Sequence, residues 1–519
     1  MVKPVNQLLT ITIDGHSVQV APGESVLSAA RKLGIDIPTL CYLEKCGPLN
    51  TCQVCLVKLN GKLVPSCGTK ATPGMVVESE TTEVHEARRT ALELLFSDHV
   101  GDCLSPCHRL CPLQLNVPVM LRHIQAGRIH EAAIAVRQAL PLPAVLGRLC
   151  HPPCEQGCRR NSLDDPAAIR EMERFVADED LKSAVPHVPS CKPSSGKSVA
   201  IIGAGPAGLA AAHFLGREGH AVTVADRHDQ AGGKLRTNTT EAELPRQVLD
   251  AELAQLERLG IQFKLNVELG GDLTIDGLSR GFDAVLLTVG ELSPRETHNL
   301  GVILGPLGIK TDPNTGWTSA PNVFAAGSAV KPVKQLVKAM SEGRAVAECV
   351  HRHLFGVTPR RPEKEFSSVM GRLDPGELRE FLRSANNVGR VSPCDRCLGH
   401  NRAEAVTESS RCLHCDCRSS GNCVLQHWAQ VYGTDANRFR SERKKFEQHA
   451  QPGGIIFEPG KCILCGICVK LTEMAAEPLG LTFIGRGFDV KVGVPFSREV
   501  DAGLQKVAAE CVEHCPTGA

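Results

Sequence analysis

The residues best able to do chemistry in this 519-residue chain are its 24 cysteines, most of them gathered in short clusters. Thiolates are soft ligands suited to zinc and to iron–sulfur clusters. Clustered thiols in a chain this long read as metal ligands, because disulfide scaffolds belong to short secreted domains. Cys41, Cys52, Cys55 and Cys67 follow C-x10-C-x2-C-x11-C, a close pair with two outliers that can wrap a [2Fe–2S] unit, and Cys46 offers a competing C-x4-C start. Cys462, Cys465 and Cys468, with Cys515-Pro516 far downstream, carry the ligand pattern of a [4Fe–4S] cluster. Cys394, Cys397, Cys412 and Cys415 approach zinc-ribbon spacing, while Cys412, Cys415, Cys417 and Cys423 offer another [4Fe–4S] set. Cys511 reads as a structural spare, and Cys191 and Cys349, isolated from the rest, as packing residues.

A second constellation lies mid-chain. SVAIIGAGPAGLAAAHFLGREGHAVTVADR, from Ser198, reads as strand, glycine turn, helix and second strand. Gly203, Gly205 and Gly208 let the backbone approach a pyrophosphate at a helix N-terminus, and Asp226 stands where an acid holds ribose hydroxyls. No second G-x-G-x-x-G occurs, and the stretch from Gly290 to Phe324 is too short for a domain, which needs at least about 50 residues. A nicotinamide domain is therefore not expected. There is also no G-x-S-x-G elbow, H-E-x-x-H or P-loop.

These groups need several bodies to hold them. The expected class is multidomain α/β and α+β. Alternation from Leu8 to Val20 about Asp14-Gly15 predicts a hairpin, followed by a helix over Val26 to Leu33, the order of a β-grasp ferredoxin domain over 1–82. A helical double [4Fe–4S] domain is expected over 83–190, a Rossmann-like domain over 196–356, a Cys-rich connecting segment over 357–453 and a C-terminal cluster domain over 454–519. Net charge of +1 and 4% aromatic residues argue against nucleic acid. No apolar run suits a membrane span, and Met1–Asn6 lack a signal-peptide stretch, so a cytoplasmic chain is expected.

TLCYLEKCGPLNTCQVCLVKLNGKLVPSC resembles the N-terminal ferredoxin domain of the large iron–sulfur subunit of complex I and related hydrogenases, which favours Cys41 over Cys46. EARRTALELLFSDHVGDC continues that likeness, as does KCILCGICV with CPTGA. CHRLCPLQLNVPVMLRHIQAGRIHEAAIAV and LPAVLGRLCHPPCEQGCRR instead resemble the helical domain of the glutamate synthase small subunit and of dihydropyrimidine dehydrogenase. That second resemblance implies one cluster on Cys103, Cys107 and Cys158 with His99 as fourth ligand. It implies another on Cys111, Cys150 and Cys154, with Glu173 replacing a missing cysteine.

Pro206, Ala207 and Gly233 are similar to the FAD-binding version of the glycine motif, which implies FAD held also by Arg227 and Gly327. Two features depart from it: Gly327-Ser328 replaces Gly-Asp, and TNTTEAELP is degenerate. The combined resemblance implies a [2Fe–2S] cluster, about three [4Fe–4S] clusters, FAD, and zinc or a further cluster. It implies an electron-transfer subunit without substrate chemistry of its own. Its partners would be an NADH-handling FMN subunit, a catalytic hydrogenase or formate dehydrogenase subunit in an electron-bifurcating or simpler complex, and ferredoxin. Two other readings are a self-contained FAD-dependent ferredoxin or NAD(P)H oxidoreductase and a zinc-binding scaffold.

Overall fold

The computed structural model describes residues 8–292, 300–395, 397–419, 421–440, 443–451 and 453–519. The expectation for Met1–Asn6 and part of that for Gly290–Phe324 fall outside them. The chain divides into two units, one of 1–104, 365–383 and 415–519, the other of 105–364 and 384–414. The expected connecting segment is therefore shared out between two bodies.

In the first unit, strands Leu9–Ile13 and His16–Val20 pair antiparallel through a tight turn at Asp14 and Gly15, both with positive φ. The Asp14 carboxylate accepts the Ser79 N–H at 2.7 Å, tying the turn to the end of the domain. Five strands make the sheet in the order His16–Val20, Leu9–Ile13, Val76–Glu78, Leu56–Leu59 and Lys62–Pro65. Helix Val26–Lys32, capped by the Ser25 hydroxyl, lays Val26, Leu27, Ala29 and Ala30 on Ile11, Ile13, Val20 and Val57. Burying such side chains contributes roughly 1.5–3 kcal/mol each. The loops that leave this core carry the first four cysteines.

Helix Thr82–Ser97 follows, capped by the Thr81 hydroxyl, and its buried Arg88 donates to the Tyr432 hydroxyl at 2.8 Å. Phe381 stacks on Phe446 with ring centres 4.3 Å apart. The last part of the unit sets helices Ile467–Met474 and Ala508–His514 beside the hairpin Thr482–Ile484/Lys491–Gly493.

The second unit holds short helices, among them Pro143–Leu149 and Pro153–Gln156, which pack on the longer Ile169–Lys182, and Pro106–Leu110, which packs on Pro153–Gln156. Proline opens each of the three, where its missing N–H costs no hydrogen bond. The buried Arg137 guanidinium donates to Glu252 at 3.1 Å and also to Asp180, while Glu252 accepts the Ala144 N–H at 2.7 Å. These bonds satisfy charges that would be costly if left alone in the core.

A parallel sheet follows, ordered Gln262–Lys264, Ala221–Ala225, Ser198–Ile202, Ala284–Leu287 and Val323–Ala325. Between its last two strands the described chain forms only the small hairpin Leu304–Gly305/Gly308–Ile309. Helices Pro206–Arg217 and Leu336–Leu354 cross so closely that a Cβ on Gly343 would stand 2.0 Å from the Ala207 carbonyl oxygen. Cys349 is fully buried beneath them, as a packing residue should be. Cys191 is exposed in the segment before the first strand, which corrects its reading as a packing residue: that segment has no core to enter. No described helix is long and apolar enough to cross a membrane.

Candidate metal centres and nucleotide site

The first four cysteines are all buried, and the structure brings them together. The sulfurs of Cys55 and Cys67 stand 3.3 Å apart, and the Cys52 N–H donates to the Cys41 sulfur at 3.4 Å. Thiol hydrogen bonds from Cys52 and from Cys67 pull Cys41 and Cys55 well below the ordinary thiol range. A thiol must lose its proton to bind metal, and in each pair one thiol is readied for that while its partner, Cys52 or Cys67, is pushed up. Asn50 and Gln53, with positive φ, turn the loop inward.

At the other end of the same unit, a cavity of about 100 Å³ is lined by Cys462, Cys465, Cys468, Cys511 and Cys515 among apolar residues. Leu464 sits at φ 54°, which aims its N–H at the Cys462 sulfur, 3.4 Å away. Burial raises Cys462 to about 11 and Cys465 to about 12. An all-thiol, apolar cavity with N–H groups directed at sulfur fits an iron–sulfur cluster. Cys511, the expected spare, lines the same cavity. Thr51, from the first cysteine loop, donates its hydroxyl to the Cys465 carbonyl at 3.2 Å, and the Cys41 thiol is among the charges that raise Cys465.

In the second unit, Cys107 is buried and its sulfur lies 3.1 Å from the Ser105 hydroxyl. Cys154 is raised by burial and then by Cys111, Glu173, Cys107 and Cys150, so these groups face one another. The Cys111 sulfur receives backbone N–H bonds from the turn Leu113–Leu115. Cys158 is partly buried against the same helical core. Glu173 is buried, and its Oε1 has no hydrogen-bond partner. An unpartnered carboxylate facing Cys111, Cys150 and Cys154 fits a ligand set short of one cysteine.

Burial raises Glu173 to about 8. A buried acid that keeps its proton longer than in the unfolded chain makes stability fall as pH climbs from the usual carboxylate range through 8, and level off above it. In iron-free protein, Glu173→Gln should match the wild type near pH 4 and exceed it at pH 9 by on the order of 3–5 kcal/mol. Urea denaturation at the two pH values checks this, and equal stability at both would remove Glu173 from the buried site.

The expected quartet of His99, Cys103, Cys107 and Cys158 draws its residues from both units. His99 packs edge-on against Phe96 with centroids 5.4 Å apart, and burial and Lys461 lower it to about 4. Cys103 belongs to the first unit, where its sulfur lies 3.3 Å from the Ser368 hydroxyl, whereas Cys107 and Cys158 belong to the second. Cys394 and Cys397 are exposed on a turn closed by an Asp395–Gly399 bridge, and the Cys394 thiol bonds to Glu404. Cys412 is half-buried, with the His414 N–H 3.4 Å from its sulfur, and Cys415 is half-buried too. No group of three or more His, Cys, Asp or Glu among the described residues stands together as round a single metal ion.

The nucleotide site is a pocket of about 880 Å³ lined by Gly203, Gly205, Pro206, Ala207, Asp226, Arg227 and Gly233, with Ser328. Gly208 instead serves packing, since a Cβ there would meet the Gly203 carbonyl oxygen at 2.0 Å. Gly327, at φ 67°, is buried against Ala207. Asp226 accepts the Ala204 N–H at 2.6 Å and the His228 ring at 2.7 Å. His228 was missed from sequence, where only its place two residues after the strand-ending acid marks it.

Comparison with known proteins matches three parts of the chain to family models. Residues 6–82 match a 2Fe-2S iron-sulfur cluster binding domain and 78–185 the dihydropyrimidine dehydrogenase domain II, 4Fe-4S cluster. Residues 201–256 match an NAD(P)-binding Rossmann-like domain. The NAD-dependent dihydropyrimidine dehydrogenase subunit PreT of Escherichia coli O157:H7 is 33% identical over 53% of this chain and 69% of its own length. The chain belongs to this family. It is also similar to the NADP(+)-dependent formate dehydrogenase subunit beta of Moorella thermoacetica, 39% identical over 36% of this chain and 29% of that one. The Mycobacterium tuberculosis glutamate synthase [NADPH] small chain is 36% identical over 38% and 40% of the two lengths. The chain thus spans under a third of the formate dehydrogenase subunit. Both likenesses expected from sequence, to iron–sulfur subunits of redox complexes and to the glutamate synthase small chain, are present, and the cluster-binding and Rossmann folds are those expected.

Proposed function

We propose that this chain is an electron-transfer subunit of an NAD(P)-linked oxidoreductase complex of the hydrogenase or formate dehydrogenase kind, holding FAD in its Rossmann pocket. The observation that carries this reading is the Thr51–Cys465 hydrogen bond, which joins the loop of the first four cysteines directly to the C-terminal cysteine cavity. Clusters held at these thiols would supply one-electron carriers, and FAD would supply a two-electron one. The chain's own part is to fix the sulfurs, bury them and direct N–H groups at them, which tunes potentials. Asp226 and the backbone of Gly203–Gly205 would orient a dinucleotide, and the backbone between the last two strands of the sheet leaves no length for a nicotinamide-binding domain.

The names of the relatives support a place among partner subunits that handle NAD(P)H and the terminal substrate. Anaerobic purification from the native host should yield a brown protein with iron, flavin and co-purifying redox subunits. The isolated chain should reduce dyes with NAD(P)H at least roughly 100-fold more slowly than the complex. Rapid NAD(P)H-driven dye reduction by the isolated chain would favour the self-contained flavoenzyme, and zinc with little iron the scaffold.

A further inference from the structure

Three cysteines that no contiguous motif unites meet in the first unit. Cys103 follows the helix Thr82–Ser97, whereas Cys417 and Cys423 lie far downstream. The Cys417 N–H donates to the Cys103 carbonyl at 3.3 Å, which brings the two backbones together. Cys103 and Cys417 are 5% and 7% exposed. Cys423 caps the helix Val424–Val431, its sulfur taking the Gln426 N–H at 3.4 Å. The charge of Cys417 reaches Cys103, and those of Cys417 and Cys103 reach Cys423.

We propose that Cys103, Cys417 and Cys423 hold an iron–sulfur cluster of their own, separate from the [2Fe–2S] site and from the C-terminal cavity. This rests on the reading of the chain as an iron–sulfur protein and extends it to a site whose ligands come from distant segments. The donor set is all sulfur, which suits iron–sulfur clusters. Backbone N–H groups are directed at the sulfurs: that of Ser368 at Cys103, and that of Gln426 at Cys423. Such donors stabilise thiolates and set the potential of a bound cluster.

The chain closes the site from its C-terminal end. A Cβ on Gly518 would fall 2.4 Å from the Cys417 sulfur, and the Cys423 thiol faces the Pro516 carbonyl at 3.6 Å.

Full-length protein purified without oxygen, wild type and with Cys417→Ala or Cys423→Ala, tests this by iron content, Mössbauer and EPR spectra. Each variant should lose one cluster's iron and one EPR signal, while the [2Fe–2S] signal of the first four cysteines stays. Unchanged iron in a variant that keeps that signal overturns the site, as does loss of zinc alone. A second measurement, on the wild type, covers variants that do not fold. Mild chelation that spares the [2Fe–2S] signal should open Cys103, Cys417 and Cys423 to alkylation together, and labelling indifferent to iron removal refutes the proposal. A protein wholly free of iron would instead defeat the electron-transfer reading itself.

Discussion

Gly205→Val is expected to leave the fold intact and to weaken flavin binding by roughly 100-fold or more. The reason lies in the direction of one missing side chain. Gly205 caps the helix Pro206–Arg217 at φ −84°, a conformation open to any residue, and a Cβ built there meets no atom within 4 Å. That open space is part of the pocket beside Asp226 and Arg227. A valine would thus fill the cradle a pyrophosphate needs without pressing on the protein. Its cost to the fold is that of a poor N-cap, about 1 kcal/mol, or a few degrees of melting temperature.

The neighbouring glycines cannot serve for this test. At Gly203, φ is 109° and a Cβ would stand 2.4 Å from the Thr288 carbonyl oxygen, and at Gly208 it would stand 2.0 Å from that of Gly203. Substitution there would break strand–helix packing together with binding. Flavin titration beside a thermal melt reads the two effects apart. A Gly205→Val protein that still takes up one FAD per chain would show that the pocket holds something else.

The parts legible in the sequence are those whose chemistry is local. The hairpin about Asp14-Gly15, the cap at Ser25 and the glycine turn at Gly203 are each written within a few residues, and the structure has them. The Cys52–Cys55 and Cys462–Cys465–Cys468 groups are legible for the same reason, since their spacing itself sets the loop.

Glu173 was reachable only through a resemblance, because nothing near it in sequence marks a buried acid; its orphaned oxygen appears only once helix Ile169–Lys182 is packed. Cys103 illustrates the limit better. Its sequence neighbours point to His99 and Cys107, and the Cys417 N–H bonded to its carbonyl arrives through a chain reversal that no local pattern encodes. The same holds for Thr51, whose bond to Cys465 joins loops set by independent motifs. The stretch 357–453 read as one polar connector because it lacks strong periodicity, and its pieces take their structure from whichever unit they pack upon.

Cys515→Ala is expected to remove the C-terminal cluster and to cut electron throughput of the native complex by roughly 100-fold or more, with the [2Fe–2S] signal preserved. Five thiols line that cavity, one more than a [4Fe–4S] cluster takes. Cys462, Cys465 and Cys468 are fixed by their turn, where Gly466 at φ 82° and Leu464 at φ 54° fold the loop around its sulfurs. The fourth place lies between Cys511 and Cys515, at the end of helix Ala508–His514.

Cys511 lies inside the helix with its side chain 7% exposed and its N–H donating to the Val507 carbonyl at 2.9 Å, so its place is fixed by the helical ladder. Cys515 leaves the helix as its C-cap, with extended backbone ahead of Pro516. Cysteine before proline is the ending common to ferredoxin loops. Cys511→Ala should therefore keep the cluster and hold throughput within about twofold, its cost falling on packing. EPR of the reduced complex, read beside its turnover, compares the two variants. A retained signal in Cys515→Ala and a lost one in Cys511→Ala would exchange their roles and make the buried helical thiol the ligand.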